Sequence, residues 1–140
     1  MSELHDRITD TMSRGLHCSQ TMLLLANEVR GAHNPDAIRA VGGLGGGMFC
    51  GKNCGTLTGG AAILGLYGAR GEPGDEPSYD YRAAVKELVA WFEGEFGSVE
   101  CRDLVSEERE ERLRICPGFV EKTFLKCMEI LEAAGIDPNE

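Results

Sequence analysis

The chain reads as an all-α single domain, a bundle of about five to seven helices around a buried central helix, with a glycine-rich loop leading into it. Three observations predict this. Apolar residues recur at three- and four-residue spacing along most of the chain, and no segment sustains the period-two alternation of a half-buried strand. One segment, Thr56 to Ala69, is apolar almost all round (Leu57, Ala61, Ala62, Ile63, Leu64, Leu66, Tyr67), the mark of a helix with no solvent face. The length, 140 residues, suits one core, and the domain is expected to span 1–140.

Residues 3 to 14 predict a first helix, with Leu4, Ile8, Thr11 and Met12 on one face and Gly15 as its C-terminal cap. A second runs from near Cys18 to Arg30, carrying Cys18, Met22, Leu25, Ala26 and Val29 inward, and Gly31 ends it. Asn34 and Pro35 form a cap and first-turn pair for a third helix through Ile38 and Val41. The stretch Val41 to Gly60 follows, with glycines 43, 47, 51, 55 and 59 at every fourth position. It predicts a tightly packed turn presenting sulfur at the head of the central helix, with close backbone contact at the glycines. The segment GARGEPGDEPSYD is a surface loop. A fifth helix, about Tyr79 to Phe96, carries Tyr81, Val85, Leu88, Phe92 and Phe96 on one stripe. Ser98 caps a short helix through Cys101 and Leu104. SEEREERLR reads as a solvated helical face with Glu108/Arg112 and Glu110/Arg114 pairs. Cys116 and Pro117 open a last helix to about Ala134, with Val120, Phe124, Cys127, Met128 and Leu131 inward. There is no internal repeat.

The formal net charge is −9. An acidic surface repels phosphate backbones and anionic lipid, so nucleic-acid binding is disfavoured. No apolar run is long enough to insert in a bilayer, and the N-terminus lacks the apolar core of a signal peptide, so a cytoplasmic protein is expected. GGMFCGKN imitates a phosphate-binding loop, but Asn53 replaces the hydroxyl residue that would hold magnesium and no strand leads in.

Six cysteines in a reducing compartment imply metal ligation, redox chemistry or simple burial. Cys18, Cys54, Cys101 and Cys116 each fall at or within the first turn of a predicted helix. Free amides and the helix dipole stabilise anions there, so their thiol pKa values are expected to fall. Cys127 lies mid-helix on an apolar stripe and reads as structural, whereas Cys50 precedes Cys54 by four and would share its face in a continuous helix. Lys52 is placed to lower the pKa of Cys54. His17 reads as a turn histidine, with a ligand or proton-acceptor role beside Cys18 as its functional alternative. The spacing matches no common metal module and no haem-attachment motif.

Cys18, then CGTLTG at Cys54 to Gly59, then Cys101, then Cys116 resembles the C_GCAxxG_C_C family, to which a redox role is attributed. CSQTMLLLANE, GGLGGGM, FGSVECRDL and CPGFVEK extend the resemblance over Cys18 to Leu131. It implies that the characteristic cysteines are Cys18, Cys54, Cys101 and Cys116, with Cys50 and Cys127 outside the set. Thr56 stands where the family motif usually has alanine. Two functions compete. In the first the cysteines cycle between dithiol and disulfide, as in a thiol-disulfide oxidoreductase, with Cys54 attacking and a redox protein or small molecule as partner. In the second the same four cysteines are metal ligands, holding an iron–sulfur cluster or zinc for electron transfer or stability. A third reading makes them core filling alone. Neither the resolving cysteine nor the oligomeric state, a homodimer included, follows from the sequence.

Overall fold

The computed structural model describes residues 2–140. It contains α1 (Glu3–Ser13), α2 (Cys18–Arg30), α3 (Pro35–Ala40), α4 (Gly55–Leu66), α5 (Tyr81–Phe96), α6 (Cys101–Leu104) and α7 (Arg109–Ala133). Among the described residues no strand forms, and the only extended pairing is a single antiparallel bridge between Asn53 and Glu100. The all-α expectation therefore holds.

Side-chain caps explain three of the helix starts. Ser2 accepts from the His5 amide, Asn34 from Ala37 and Asp80 from Ala83, so each ties an otherwise free amide of the first turn. Gly31 and Gly97 end α2 and α5 in the left-handed conformation that glycine adopts without penalty.

α4 packs against α2, α5 and α7, and α1 packs against α7. Ile8, Met22, Ile63, Leu64, Leu88, Phe92, Val120 and Leu131 are wholly buried where these faces meet. Their burial is the main favourable contribution, at roughly 2 kcal/mol for each large side chain. The edge-to-face pair Phe96–Phe119, with centroids 4.7 Å apart, ties α5 to α7, and Phe92 packs edge-on to Phe96 within α5 at the same separation.

Close approach of α2 and α4 depends on glycine. A Cβ on Gly59 would stand 3.0 Å from the backbone of Ser19. One on Gly55 would lie 2.6 Å from Cys18 Sγ and 2.9 Å from the Leu44 carbonyl. The four-residue glycine spacing continues N-terminally as something else. Met48 (φ 60°) and Phe49 (φ 56°) sit in the left-handed region with Gly46 (φ 57°) and Gly47 (φ 63°). This left-handed turn is closed by Lys52 N–H donating to Gly47 O at 3.0 Å. L-residues resist that conformation by about 1–2 kcal/mol each. Both side chains are exposed.

α4 stops at Leu66, short of the expected Ala69, and α5 starts at Tyr81; two further boundaries differ in kind. The short helix begins at Cys101 with Glu100 as its N-cap; Ser98 instead accepts from the Glu100 amide and donates to Asp103. More consequentially, SEEREERLR and the last helix are one continuous element. Pro117 lies inside α7, where it forfeits a single backbone hydrogen bond. Flanking turns that bury Cys116, Val120, Phe124, Cys127, Ile130 and Leu131 hold the helix across that loss.

Candidate functional site

An antiparallel clasp brings two distant cysteines side by side. Cys54 N–H donates to Val99 O at 2.8 Å, and Cys101 N–H donates to Lys52 O at 2.6 Å. The Asn53–Glu100 bridge lies between these bonds. Cys54 is thereby the N-cap of α4 and Cys101 the first residue of α6. Cys18 opens α2 directly after its N-cap, His17. Its sulfur rests against Gly55, whose missing side chain makes room for it. Cys116 does not head a helix. It lies in the interior of α7, so the expectation of four sulfurs at helix starts holds for three. A cysteine followed by proline resembles a helix opening in sequence; the burial of α7 on both sides of Pro117 overrides that signal.

Cys18, Cys54, Cys101 and Cys116 all line one cavity of about 190 Å³. Its apolar wall includes Met12, Leu16, Leu104, Val105, Leu113 and Phe119, and its polar rim holds His17, Glu107, Arg109 and Arg112. The α7 contribution is a single stripe: Arg109, Arg112, Leu113, Cys116 and Phe119 recur at helical spacing. Cys18 is partly exposed, while Cys54, Cys101 and Cys116 are buried.

The chain matches the model of the C_GCAxxG_C_C family, described as putative redox-active protein, over residues 16–130. It belongs to that family. No curated protein matches it, and no solved structure does. The four cysteines that the sequence resemblance singles out, Cys18, Cys54, Cys101 and Cys116, all lie within the matched range and share the cavity.

Burial, and not the helix field, governs the thiols of this family member. Cys54 is pushed up to about 11 by burial and by Cys18, against the amides of Thr56 and Leu57 and the Thr56 hydroxyl, which lower it. Cys116 is pushed up to about 12 by burial and then by Cys18, Cys54 and Cys101, with Arg112 opposing. Cys101 is raised by burial, lowered by Arg112 and raised by Cys18. For Cys54, Cys101 and Cys116 the expected fall in pKa is therefore reversed. A helix terminus offers about 0.3–1 kcal/mol, less than one pKa unit at about 1.4 kcal/mol, whereas burial of a charge shifts a pKa by up to several units. These three thiols are protonated at neutral pH.

Lys52 is exposed and contributes nothing resolved to Cys54; the cation that acts on the thiols is Arg112. Charge patterning paired Arg112 with Glu108, but that pair does not form: Glu108 caps α7 and Arg112 Nε donates to Ser106 O at 2.8 Å. The Glu110/Arg114 pair is likewise absent from the ion pairs of the fold. His17 is exposed, at the cavity rim, with its ring edge-on to Phe49 at 5.0 Å.

Thr56, the departure from the family motif, is 1% exposed and its Oγ1 has no hydrogen-bond partner. It faces the Cys54 sulfur, where it would donate to a thiolate. Cys50 is exposed and does not line the cavity. Cys127 is wholly buried, its thiol directed at the Gly60 carbonyl 3.7 Å away.

Among the described residues no three His, Cys, Asp or Glu side chains are grouped so as to hold a metal ion. The four cysteines therefore share a cavity without forming a ready ligand cage.

Proposed function

We propose that the chain, acting as one domain over 1–140, is a thiol–disulfide redox protein whose reactive group is the set Cys18, Cys54, Cys101 and Cys116. The observation that carries this reading is the convergence of these sequence-distant thiols on one cavity. Cys18 is the attacking thiol. It is the accessible member of the set, and it lies close enough to influence each of the other three. This replaces Cys54, which burial makes a poor nucleophile.

The reaction balances as ordinary exchange. The Cys18 thiolate attacks one sulfur of a substrate disulfide, forming a mixed disulfide and expelling the other half as a thiolate, which takes up a proton. A buried neighbour loses its proton and attacks Cys18 Sγ, releasing the second half. Two protein thiols are oxidised and one substrate disulfide becomes two thiols; the reverse sequence oxidises a substrate dithiol. The Thr56 hydroxyl and the first-turn amides of α4 fit Cys54 for the resolving role, since they stabilise its transient thiolate.

A cytoplasmic setting accords with six free thiols. No helix among the described residues is long and apolar enough to cross a membrane, and the acidic surface disfavours nucleic acid as a partner. The partner is a small molecule or a redox protein; the chain acts without needing a homodimer, since all four thiols belong to one copy.

Anaerobically purified protein tests the proposal. Treatment with a small disulfide should lower the free-thiol count by about two per chain, and a reductant should restore it. An iron–sulfur absorption spectrum or one zinc per chain would transfer the four cysteines to the ligand reading.

A further inference from the structure

The cavity carries a second chemical feature that thiol exchange alone does not require. The face of α7 that supplies Cys116 also sets two guanidinium groups, Arg109 and Arg112, on its wall. Neither is paired with a carboxylate. Arg112 is half-buried and uses only Nε, on Ser106 O, which leaves its terminal amino groups to the cavity. Its Nη1 lies where a Cβ on Gly46 would approach to 3.0 Å, so the loop packs closely on it and limits its movement. Arg109 makes one long contact, 3.5 Å to Ser13 O. The nearby Glu111 carboxylate is occupied by Ser106, and Glu107 is the one acidic group on the cavity wall. A chain of net charge −9 thus keeps a local excess of positive charge beside its thiols. Met12, Leu16 and Phe119 supply apolar surface on the other walls.

We infer that the cavity takes a small disulfide bearing a carboxylate near its sulfur, with Arg112 and Arg109 holding the carboxylate while Cys18 receives the sulfur. This rests on the thiol–disulfide reading above and specifies its substrate. A forked guanidinium matches a carboxylate with two parallel hydrogen bonds. Anchoring the anion fixes the disulfide against the wall and spares the exchange part of its orientational cost. The bond changes are those of the exchange: the substrate S–S bond breaks, a Cys18–substrate S–S bond forms, and the departing thiolate takes a proton. A second thiol of the set then displaces the bound half.

The experiment compares three probes on the reduced full-length protein: dithiodipropionate (anionic), bis-hydroxyethyl disulfide (neutral) and cystamine (cationic). Mixed-disulfide formation is followed by mass spectrometry, and each rate is divided by that of the same probe with dithiothreitol to remove differences in leaving group. The anionic probe should exceed the neutral one on the order of tenfold, as one charge-assisted contact allows. Added salt should shrink that ratio. Arg112→Gln should shrink it, Arg112→Lys should retain more of it, and Arg109→Gln combined with Arg112→Gln should bring it close to one. The ratio is the readout because Arg112 also acts on the thiols themselves. Equal normalised rates, or a preference for cystamine, would overturn the inference and leave the exchange reading standing. No reaction with any probe would overturn the exchange reading, and the substrate assignment with it.

Discussion

Accessibility separates six chemically identical side chains. Cys50 is exposed on the left-handed turn and Cys18 is partly exposed at the cavity; Cys54, Cys101, Cys116 and Cys127 are buried. A thiol reacts as its thiolate and only where reagent can reach it. Iodoacetamide near neutral pH should therefore label Cys50 and Cys18 first, with the other four slower by on the order of tenfold or more. Peptide mass spectrometry over a time course reads the order, and early labelling of Cys54 would restore it as the attacking thiol. At this scale the sequence singled out the four cysteines that share the cavity and was misleading about the state of the buried three. Helix position is readable from caps and glycines; burial depth is a property of what packs on top, and burial set the sign of the shifts at Cys54 and Cys116. Arg112 was missed for a related reason. A glutamate four residues earlier gave it an apparent partner, and only the folded chain turns it toward the cavity.

The pairing of α2 with α4 is the element-level device that seats Cys18. Gly55→Ala would place a methyl group 2.6 Å from the Cys18 sulfur and 2.9 Å from the Leu44 carbonyl. Backbone on one side and thiol on the other leave little room to adjust. A loss of about 1–3 kcal/mol is expected by urea denaturation, with a changed rate of Cys18 labelling. Gly43→Ala is the control: its Cβ would meet nothing within 4 Å, so a change within about 0.5 kcal/mol is expected. The helices themselves were legible because their apolar spacing and caps agree, as at Asn34–Pro35 and Asp80. The clasp joining Lys52–Cys54 to Val99–Cys101 was not. A bridge one residue long has no alternation to detect, and its partners lie far apart in the chain.

For the whole molecule, buried neutral thiols link stability to alkaline pH. Burial raises Cys54 from 9.0 to about 11, and Cys116 and Cys127 from 9.0 to about 12. Tyr79 rises from 10.0 to about 12. The folded state thus holds these protons more tightly than the unfolded chain. Their contribution is complete below pH 9.0 and is lost as pH climbs toward the folded values. The urea midpoint of the reduced protein should fall steadily from about pH 8.5 upward, and a flat profile would contradict the burial of these groups.

The same architecture makes a claim about covalent connectivity. Disulfide mapping of the monomer after mild oxidation by a small disulfide tests it. The account predicts a bond within one chain from Cys18 to Cys54, Cys101 or Cys116, with Cys127 left free. Bonds formed only through Cys50 between two chains, or four thiols still reduced beside the cavity, would contradict it.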